Sequence, residues 1–328
     1  MANLWLSILI FFSLPNIVSA QLKWVNVDNL YQPLPKSVHV YYSNDSIDGK
    51  PNIAYYVEAV LKDKALDFTT QVGNGKRYTP AQYYTSESKP LVVVNTTFFE
   101  FVHNSSLNLV VKNGKVLAYN NHSIPGRGKD TFTYRHPFAS ALGISKSRKA
   151  DIAWTYADTS QRFVYATQVP FPAFKDSSRI MSYRNAIDMT TMAGRSVTTP
   201  KLVKWRMNTA VGGGPVLVQN GQVKITNNEE MKFGGKAIND KHPRTTMGYT
   251  ADGKLIILVI QGRFPGIAEG ASLEQEAKIL TQLGCTEAMN LDGGGSSCLL
   301  INGKETIKPS DKEGQRPVPA VFMIKRRN

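Results

Sequence analysis

The residues best equipped for chemistry in this 328-residue chain lie in the run Asn290-Leu-Asp-Gly-Gly-Gly-Ser-Ser297. Three consecutive glycines lose much backbone entropy on folding and add no packing, so they answer a need for unusual φ angles or for close approach of the backbone to a ligand. Successive N–H groups of Gly293, Gly294 and Gly295 can form an anion nest, to which Ser296 and Ser297 add hydroxyl donors. Asp292 stands at the start of the turn as a base, a nucleophile or an orienting carboxylate; a long hairpin turn capped by Asp292 is the purely structural alternative. A second cluster, Gly212-Gly213-Gly214-Pro215, precedes the apolar run Val216 to Gln219, and two glycine-rich strand ends in one sheet protein can line one cleft. In His242-Pro-Arg244 the guanidinium offers a planar fork for a phosphate or carboxylate. Gln315-Arg316-Pro317 places another fork just before the apolar run Val318 to Ile324. Asn95 ends the run Leu91-Val-Val-Val-Asn95, where its amide can hold a sugar hydroxyl or cap the strand; Asn44, Asn95, Asn104 and Asn121 also fall in glycosylation sequons. HExxH, paired CxxC and GxSxG motifs are absent and the five His do not fall at metal-ligand spacing, which disfavours a metalloprotease or an α/β-hydrolase and leads us to expect no metal or cofactor.

The elements that must position these groups are mostly strands. Asn113-Gly114, Asn220-Gly221, Asp252-Gly253 and Asn302-Gly303 each sit between β-branched or aliphatic runs, the composition of two-residue type I′ hairpins. The predicted fold class is therefore α+β: a largely antiparallel or mixed twisted sheet with hairpins and a few packed helices. One helix is clearly signalled from Ser272 to Leu283. Ser272 and Gln275 form a capping box, Leu273, Ala277, Leu280 and Leu283 share a face, and Gly284 supplies a left-handed stop. The run Glu287 to Leu291 reads as the next strand, so helix, strand, glycine loop and strand follow one another and bring the loop to the end of the sheet.

Composition bounds the rest. Lys and Arg number 39 against 25 Asp and Glu, a formal charge of +14, and the chain is 42% hydrophobic and 20% charged, which excludes disordered, collagen and coiled-coil classes. The apolar run Leu4 to Leu14, followed by Val18-Ser19-Ala20, reads as a secretory signal over residues 1–20, with no integral membrane segment after its cleavage. A secreted or periplasmic location follows. There a basic surface meets anionic glycans, phosphate polymers or lipid headgroups rather than nucleic acid. Cys285 and Cys298 flank the glycine turn unequally and are expected to be buried free thiols. Residues 21–89 read as a β-rich N-terminal extension packed on a main domain of residues 90–328. Within it, 145–210 is rich in Ser, Thr, Arg and Pro and reads as an insertion or lid.

Taken in order, several segments resemble the phosphodiester glycosidase family from about residue 90 to the C-terminus. They are Asn95-x-x-Phe98-Phe99, Gly212-Gly-Gly-Pro-Val-Leu-Val with Asn220-Gly221, and Arg244-Thr-x-x-Gly248, followed by Gly270-x-Ser-Leu-x-Glu-x-Ala277, Asn290 to Ser297, and Arg316-Pro-Val. The resemblance implies cleavage of a sugar 1-phosphodiester at the glycosidic bond, with a phosphorylated glycan or sugar phosphodiester as the partner. A phosphate leaving group departs as a stable anion and needs guanidinium forks and N–H donors more than a strong acid. On that reading Arg244, Arg316 and the Gly293 to Ser297 loop meet the phosphate, and Asn95, Gly213, Gly214, His242 and Arg263 also contact substrate. Asp292 assists water or stabilises an oxocarbenium-like centre. Glu276 is its candidate partner, since glycosidases pair two carboxylates ~5–9 Å apart. The chain departs from the family pattern where Thr96 and Thr97 replace two glycines and where Gln261-Gly-Arg263 replaces Asp-Gly-Arg. The Gln261 departure motivates an alternative, a noncatalytic anionic-polysaccharide-binding protein of the cell envelope. A nucleophilic Ser296 or Ser297 is a third possibility, without a His base near it in sequence.

Overall fold

The computed structural model describes residues 21–192 and 201–327; the expected signal segment, residues 1–20, lies outside them. Three larger antiparallel sheets and one small one account for the strands. The main, eight-stranded sheet runs in the order Val25–Asn26, Val38–Ser43, Ala54–Val60, Lys254–Ile260, Arg244–Thr250, Cys285–Asn290, Val216–Gln219 and Gln222–Val223. A seven-stranded sheet runs Val203–Lys204, Tyr165–Thr167, Ala150–Tyr156, Ala139–Ile144, Thr209–Gly212, Val110–Lys112 and Lys115–Ala118. A five-stranded sheet runs Lys304–Glu305, Leu299–Ile301, Val92–Asn95, Ala320–Arg326 and Leu66–Val72.

The strand Lys254–Ile260 shows how the main sheet is covered on both faces. Leu255, Ile257 and Val259 enter one apolar cluster, which also takes Leu142 and Trp154 from the seven-stranded sheet and Val94 and Phe322 from the five-stranded one. Ile256, Leu258 and Ile260 point the other way, into a cluster with Leu273, Ala277 and Leu280 of the helix Leu273–Gln282. A strand buried on both faces reads as a continuous apolar run, as KLIILVI does, and each fully buried aliphatic side chain contributes roughly 1.5–3 kcal/mol. The helix begins as predicted. Ser272 Oγ accepts from the Gln275 N–H at 3.3 Å, Gln275 Oε1 accepts from the Ser272 N–H at 2.9 Å, and Gly284 follows at φ 79°.

Three of the four predicted hairpins have both turn residues at positive φ: Asn113 and Gly114, Asn220 and Gly221, Asn302 and Gly303. The fourth differs. Only Gly253 is left-handed there, and its N–H donates to the Thr250 carbonyl at 3.1 Å, so Thr250-Ala-Asp-Gly253 forms a four-residue turn with glycine last. The described part of 145–210, expected as an insertion or lid, carries regular strands. It supplies Ala150–Tyr156, Tyr165–Thr167 and Val203–Lys204 to the seven-stranded sheet, where Trp154 and Tyr156 are among the largest fully buried side chains. Residues 38–72 likewise pair within the sheets, Ala54–Val60 with Lys254–Ile260 and Leu66–Val72 with Ala320–Arg326. Cys285 and Cys298 are buried free thiols. Among the described residues no helix is long and apolar enough to cross a membrane.

Candidate functional site

The glycine loop of residues 291–298 is a crossover. It leaves the main sheet at Asn290 and joins the five-stranded sheet at Leu299. Backbone bonds pin its course: the Leu291 N–H donates to the Thr245 carbonyl, Asp292 to Thr96 and Gly294 to Pro243, each at 2.8 Å, and Gly294–Ser296 then make one 3-10 turn. Asn95, at the end of the neighbouring strand, clamps the loop at both ends. Its amide donates to the Asp292 carbonyl at 2.6 Å, and its Oδ1 accepts from the Cys298 N–H and the Thr245 hydroxyl, each at 3.0 Å. This completely buried amide is a structural tie in the present arrangement, and its burial also removes it from use as a glycosylation site.

The glycines are explained by what lies on them. A Cβ on Gly295 would sit 2.1 Å from both Arg316 Nη2 and Asp311 Oδ1, and one on Gly294, left-handed at φ 62°, would sit 2.9 Å from Arg263 Nη2. Arg316 is gripped by Asp311 through two bonds, Nε to Oδ2 at 2.7 Å and Nη2 to Oδ1 at 3.0 Å, so it is held over the loop as a fixed fork. Arg263 is exposed and forms no hydrogen bond or ion pair among the described residues. Of the predicted nest, the Gly294 N–H is engaged, donating to the Pro243 carbonyl, while the N–H groups of Gly293 and Gly295 have no backbone acceptor among the described residues. The Ser296 and Ser297 N–H groups donate to the Gly293 and Gly294 carbonyls. Three hydroxyls are open as well: Ser296 Oγ, Ser297 Oγ and Thr96 Oγ1 are buried without a hydrogen-bond partner.

Electrostatics separates the two expected carboxylates. Burial pushes the Asp292 carboxyl up to about 7, against the opposing pull of the Ser296 hydroxyl, Arg316 and the Gly293 N–H. The Ser296 hydroxyl approaches Asp292 without completing a hydrogen bond to it. Asp292 is only partly buried as a residue, so a ligand can reach it. Glu276 is different: fully enclosed on the helix, with both oxygens unpartnered and its carboxyl pushed up to about 8 by burial despite the attraction of Arg244. In this arrangement it cannot touch a substrate. Arg244 is itself 3% exposed, and it donates through Nε to the Ala271 carbonyl and through Nη2 to the Asp240 carbonyl, each at 2.8 Å. It therefore braces the chain beside the loop instead of offering a free fork, and Phe233 covers its guanidinium.

The structure thus gathers Asn95, Asp292, Gly293 to Ser297, Arg263 and Arg316 around one loop. His242 lies beside it through Pro243, partly buried, its Nδ1 unpartnered and its pKa lowered by burial and by Arg244 and Arg263. Gly213 and Gly214 pack against the start of the loop, at Asn290 and Leu291. The Gly214 N–H donates to the Asn290 carbonyl at 2.8 Å and its own carbonyl accepts from Asn290 Nδ2 at 2.9 Å. Two residues escaped the sequence reading. Asp311, the anchor of Arg316, was findable as the acidic residue five positions before that Arg. Lys232, pushed down to about 8 by burial and set over the Phe98 ring, had no signal of its own. Gln261, the departure from Asp, is a buried loop tie whose Oε1 accepts from the Lys308 N–H at 2.8 Å.

Comparison with known proteins gives this arrangement a context. Residues 88–325 match the family described as phosphodiester glycosidase. N-acetylglucosamine-1-phosphodiester alpha-N-acetylglucosaminidase of Mus musculus is 30% identical over 103 residues, a match that spans 29% of this chain and only 20% of the mouse protein. Among solved structures, the catalytic domain of the zebrafish enzyme of the same name, auto-inhibited by its pro-peptide, superposes with a TM-score of 0.55 at 18% identity, covering 94% of this chain and 89% of that one. A hypothetical protein from Synechocystis superposes with a TM-score of 0.64 at 14% identity, over 93% of this chain and 64% of that one. Both structures share the fold.

Proposed function

The chain belongs to the phosphodiester glycosidase family, and from that premise we propose that it is an exported hydrolase cleaving the sugar–phosphate glycosidic bond of sugar 1-phosphodiesters or related phosphorylated glycans. The observation that supports this most is the grouping of Asp292, half-ionised near neutral pH, with an unpaired Arg263, a fixed Arg316 and three hydroxyls that lack partners. A buried hydroxyl without a partner costs about 1–3 kcal/mol, and a ligand oxygen would recover it. The phosphodiester binds with its oxygens toward Arg263, Arg316 and the Ser296 and Ser297 hydroxyls. Ionised Asp292 takes a proton from water as the water oxygen bonds to the anomeric carbon. The bond between that carbon and the bridging oxygen breaks, and the electron pair leaves with a phosphomonoester whose charge the two guanidiniums stabilise. Asp292 then returns its proton to solvent. Glu276 acts through Arg244, as a positioning residue, because it has no path to the reacting atoms.

The test is release of free sugar and phosphomonoester from a panel of sugar 1-phosphodiesters by the mature protein and by Asp292→Asn. The variant should lose roughly 10²–10⁴ in turnover while its affinity for a diester stays near that of the wild type. Wild-type turnover should rise with pH through about 7, as Asp292 ionises. Absence of release from every diester, with retained binding of an anionic glycan, would replace this reading by that of a noncatalytic polysaccharide-binding protein.

A further inference from the structure

The +14 charge has a second focus, on the seven-stranded sheet and away from the Asp292 loop. A cleft of about 480 Å³ opens there, within the ~300–1,000 Å³ usual for ligand pockets. Its floor is apolar, formed by Val111, Val116, Val164 and Trp205, and Gly143 leaves room for the indole, since a Cβ there would lie 2.6 Å from Trp205 Cη2. Its rim holds Lys146, Arg162 and Arg206 with no carboxylate in the lining. Three cations converge on a single ring: Lys204 Nζ stands 4.9 Å from the Phe163 centroid, Arg206 Cζ 5.3 Å and Arg162 Cζ 5.5 Å. None of these side chains forms an ion pair among the described residues, although most carboxylates of the chain lie elsewhere in such pairs or hydrogen bonds. Like charges held together on one ring repel, and an anion between them would relieve that repulsion.

We propose that this cleft binds a stretch of anionic glycan, with the charged substituents between Arg162, Lys204 and Arg206 and the sugar hydroxyls on the polar rim. The rim supplies what sugars need: the hydroxyls of Ser145 and Ser147 and the amide of Asn208. A smaller cleft of about 150 Å³ shares Ser145, Lys146 and Asn208 with it and adds Arg148, Arg327 and Asp67, the last two paired at 3.4 Å, so the free cations are those around Phe163. Single-stranded nucleic acid fits less well, because its binding relies on open aromatic faces for the bases. Here Phe163 is taken by cations and Trp205 is 6% exposed, its indole N–H tied to Asp151 at 2.5 Å. The inference goes beyond the proposed activity and stands without it, since the cleft shares no residue with the Asp292 loop.

Binding of dextran sulfate to the full chain, measured by titration calorimetry over a range of salt concentrations, tests it. Arg162→Ala/Arg206→Ala should weaken binding roughly tenfold or more and flatten its salt dependence, because fewer counterions are released. Lys36→Ala/Lys50→Ala removes the same charge from exposed positions elsewhere and should change affinity by less than about twofold. Neutral dextran should not bind, and turnover of a small diester should be the same in all three proteins. Equal losses in the two double variants would overturn the site and leave only diffuse attraction. Tighter binding of an oligothymidylate than of dextran sulfate would overturn the glycan assignment.

Discussion

The chain contains two triple-glycine runs, and each carries the backbone from one sheet to another. Gly212-Gly-Gly-Pro215 leaves the seven-stranded sheet for the main sheet, and Gly293-Gly-Gly-Ser-Ser297 leaves the main sheet for the five-stranded one. Around the first, most polar groups are satisfied, Asn290 Oδ1 being an exception. Glu230, 1% exposed, accepts five hydrogen bonds, from the Ser140 N–H and hydroxyl, the Trp154 indole, the Val216 N–H and the Thr226 hydroxyl. Around the second, three hydroxyls lack partners and a carboxyl stays half neutral at pH 7. Nearly every buried polar group in a folded protein is paired, so a cluster of exceptions marks a place where a ligand completes the structure. On the proposed function the first crossover is scaffold and the second a site, though both read as glycine runs beside a strand.

The comparison breaks most readily at its glycines. A Cβ on Gly214 would lie 2.2 Å from Glu230 Oε2, at φ 112°, and the carboxylate it meets cannot move without losing its five donors. Gly214→Ala should destabilise the fold by roughly 3–5 kcal/mol, from overpacking and backbone strain together. Gly294→Ala meets only the movable end of Arg263 and a left-handed φ, so it should cost about 1–2 kcal/mol while displacing the guanidinium and lowering kcat/KM. Urea midpoints and turnover of the two variants decide the matter. Similar stability losses, or loss of activity alone in Gly214→Ala, would erase the distinction between scaffold and site.

That distinction was only half legible in the sequence. The glycine loop, its Asp, the helix with its capping box and three of the hairpins could be read because each rests on contacts a few residues apart. Glycine spacing also located the second cluster. Its role depends on Glu230, a residue that becomes a hub only through Ser140, Trp154, Val216 and Thr226, the first of them 90 positions away. The same limit governs the arginines. Arg244 and Arg263 look equally available in sequence, yet one turns inward to two carbonyls and the other outward over Gly294, which long-range packing alone decides. Glu276 sits on a helix face whose burial could be inferred from Leu273, Ala277 and Leu280, and that face argued against a catalytic role.

The arginines sharpen the comparison at an intermediate scale. Arg263→Ala removes an exposed, unpaired fork, so it should leave the thermal midpoint nearly unchanged and raise KM for a sugar diester roughly 10–100-fold, the value of one or two charged hydrogen bonds. Arg244→Ala should do the reverse, lowering stability by roughly 3 kcal/mol as the Ala271 and Asp240 carbonyls lose their donor. Activity per folded molecule would then fall less than stability. A large KM effect at Arg244 with a stable fold would place the phosphate nearer the helix than the glycine loop.

The pH dependence of stability is the cleanest in sign. Burial pushes the Glu276 carboxyl from an ordinary 4.5 to about 8, so between those values the folded chain holds a proton that the unfolded chain has released. Folding therefore gains most from this group below about pH 4.5, and that stability is lost as pH rises through about 8, with a slope of at most ~1.4 kcal/mol per pH unit. Asp292 contributes a slope of the same sign between 3.8 and about 7, and it is present in wild type and variant alike. Glu276→Gln keeps the shape and the neutral state but cannot ionise. The two proteins should share a urea midpoint near pH 4, and the variant should become the more stable one as pH rises toward 8, with diester turnover little changed near neutrality. If the variant were instead the weaker protein across the whole range, Glu276 would be an ionised partner of Arg244, and the brace behind the glycine loop would be a buried ion pair.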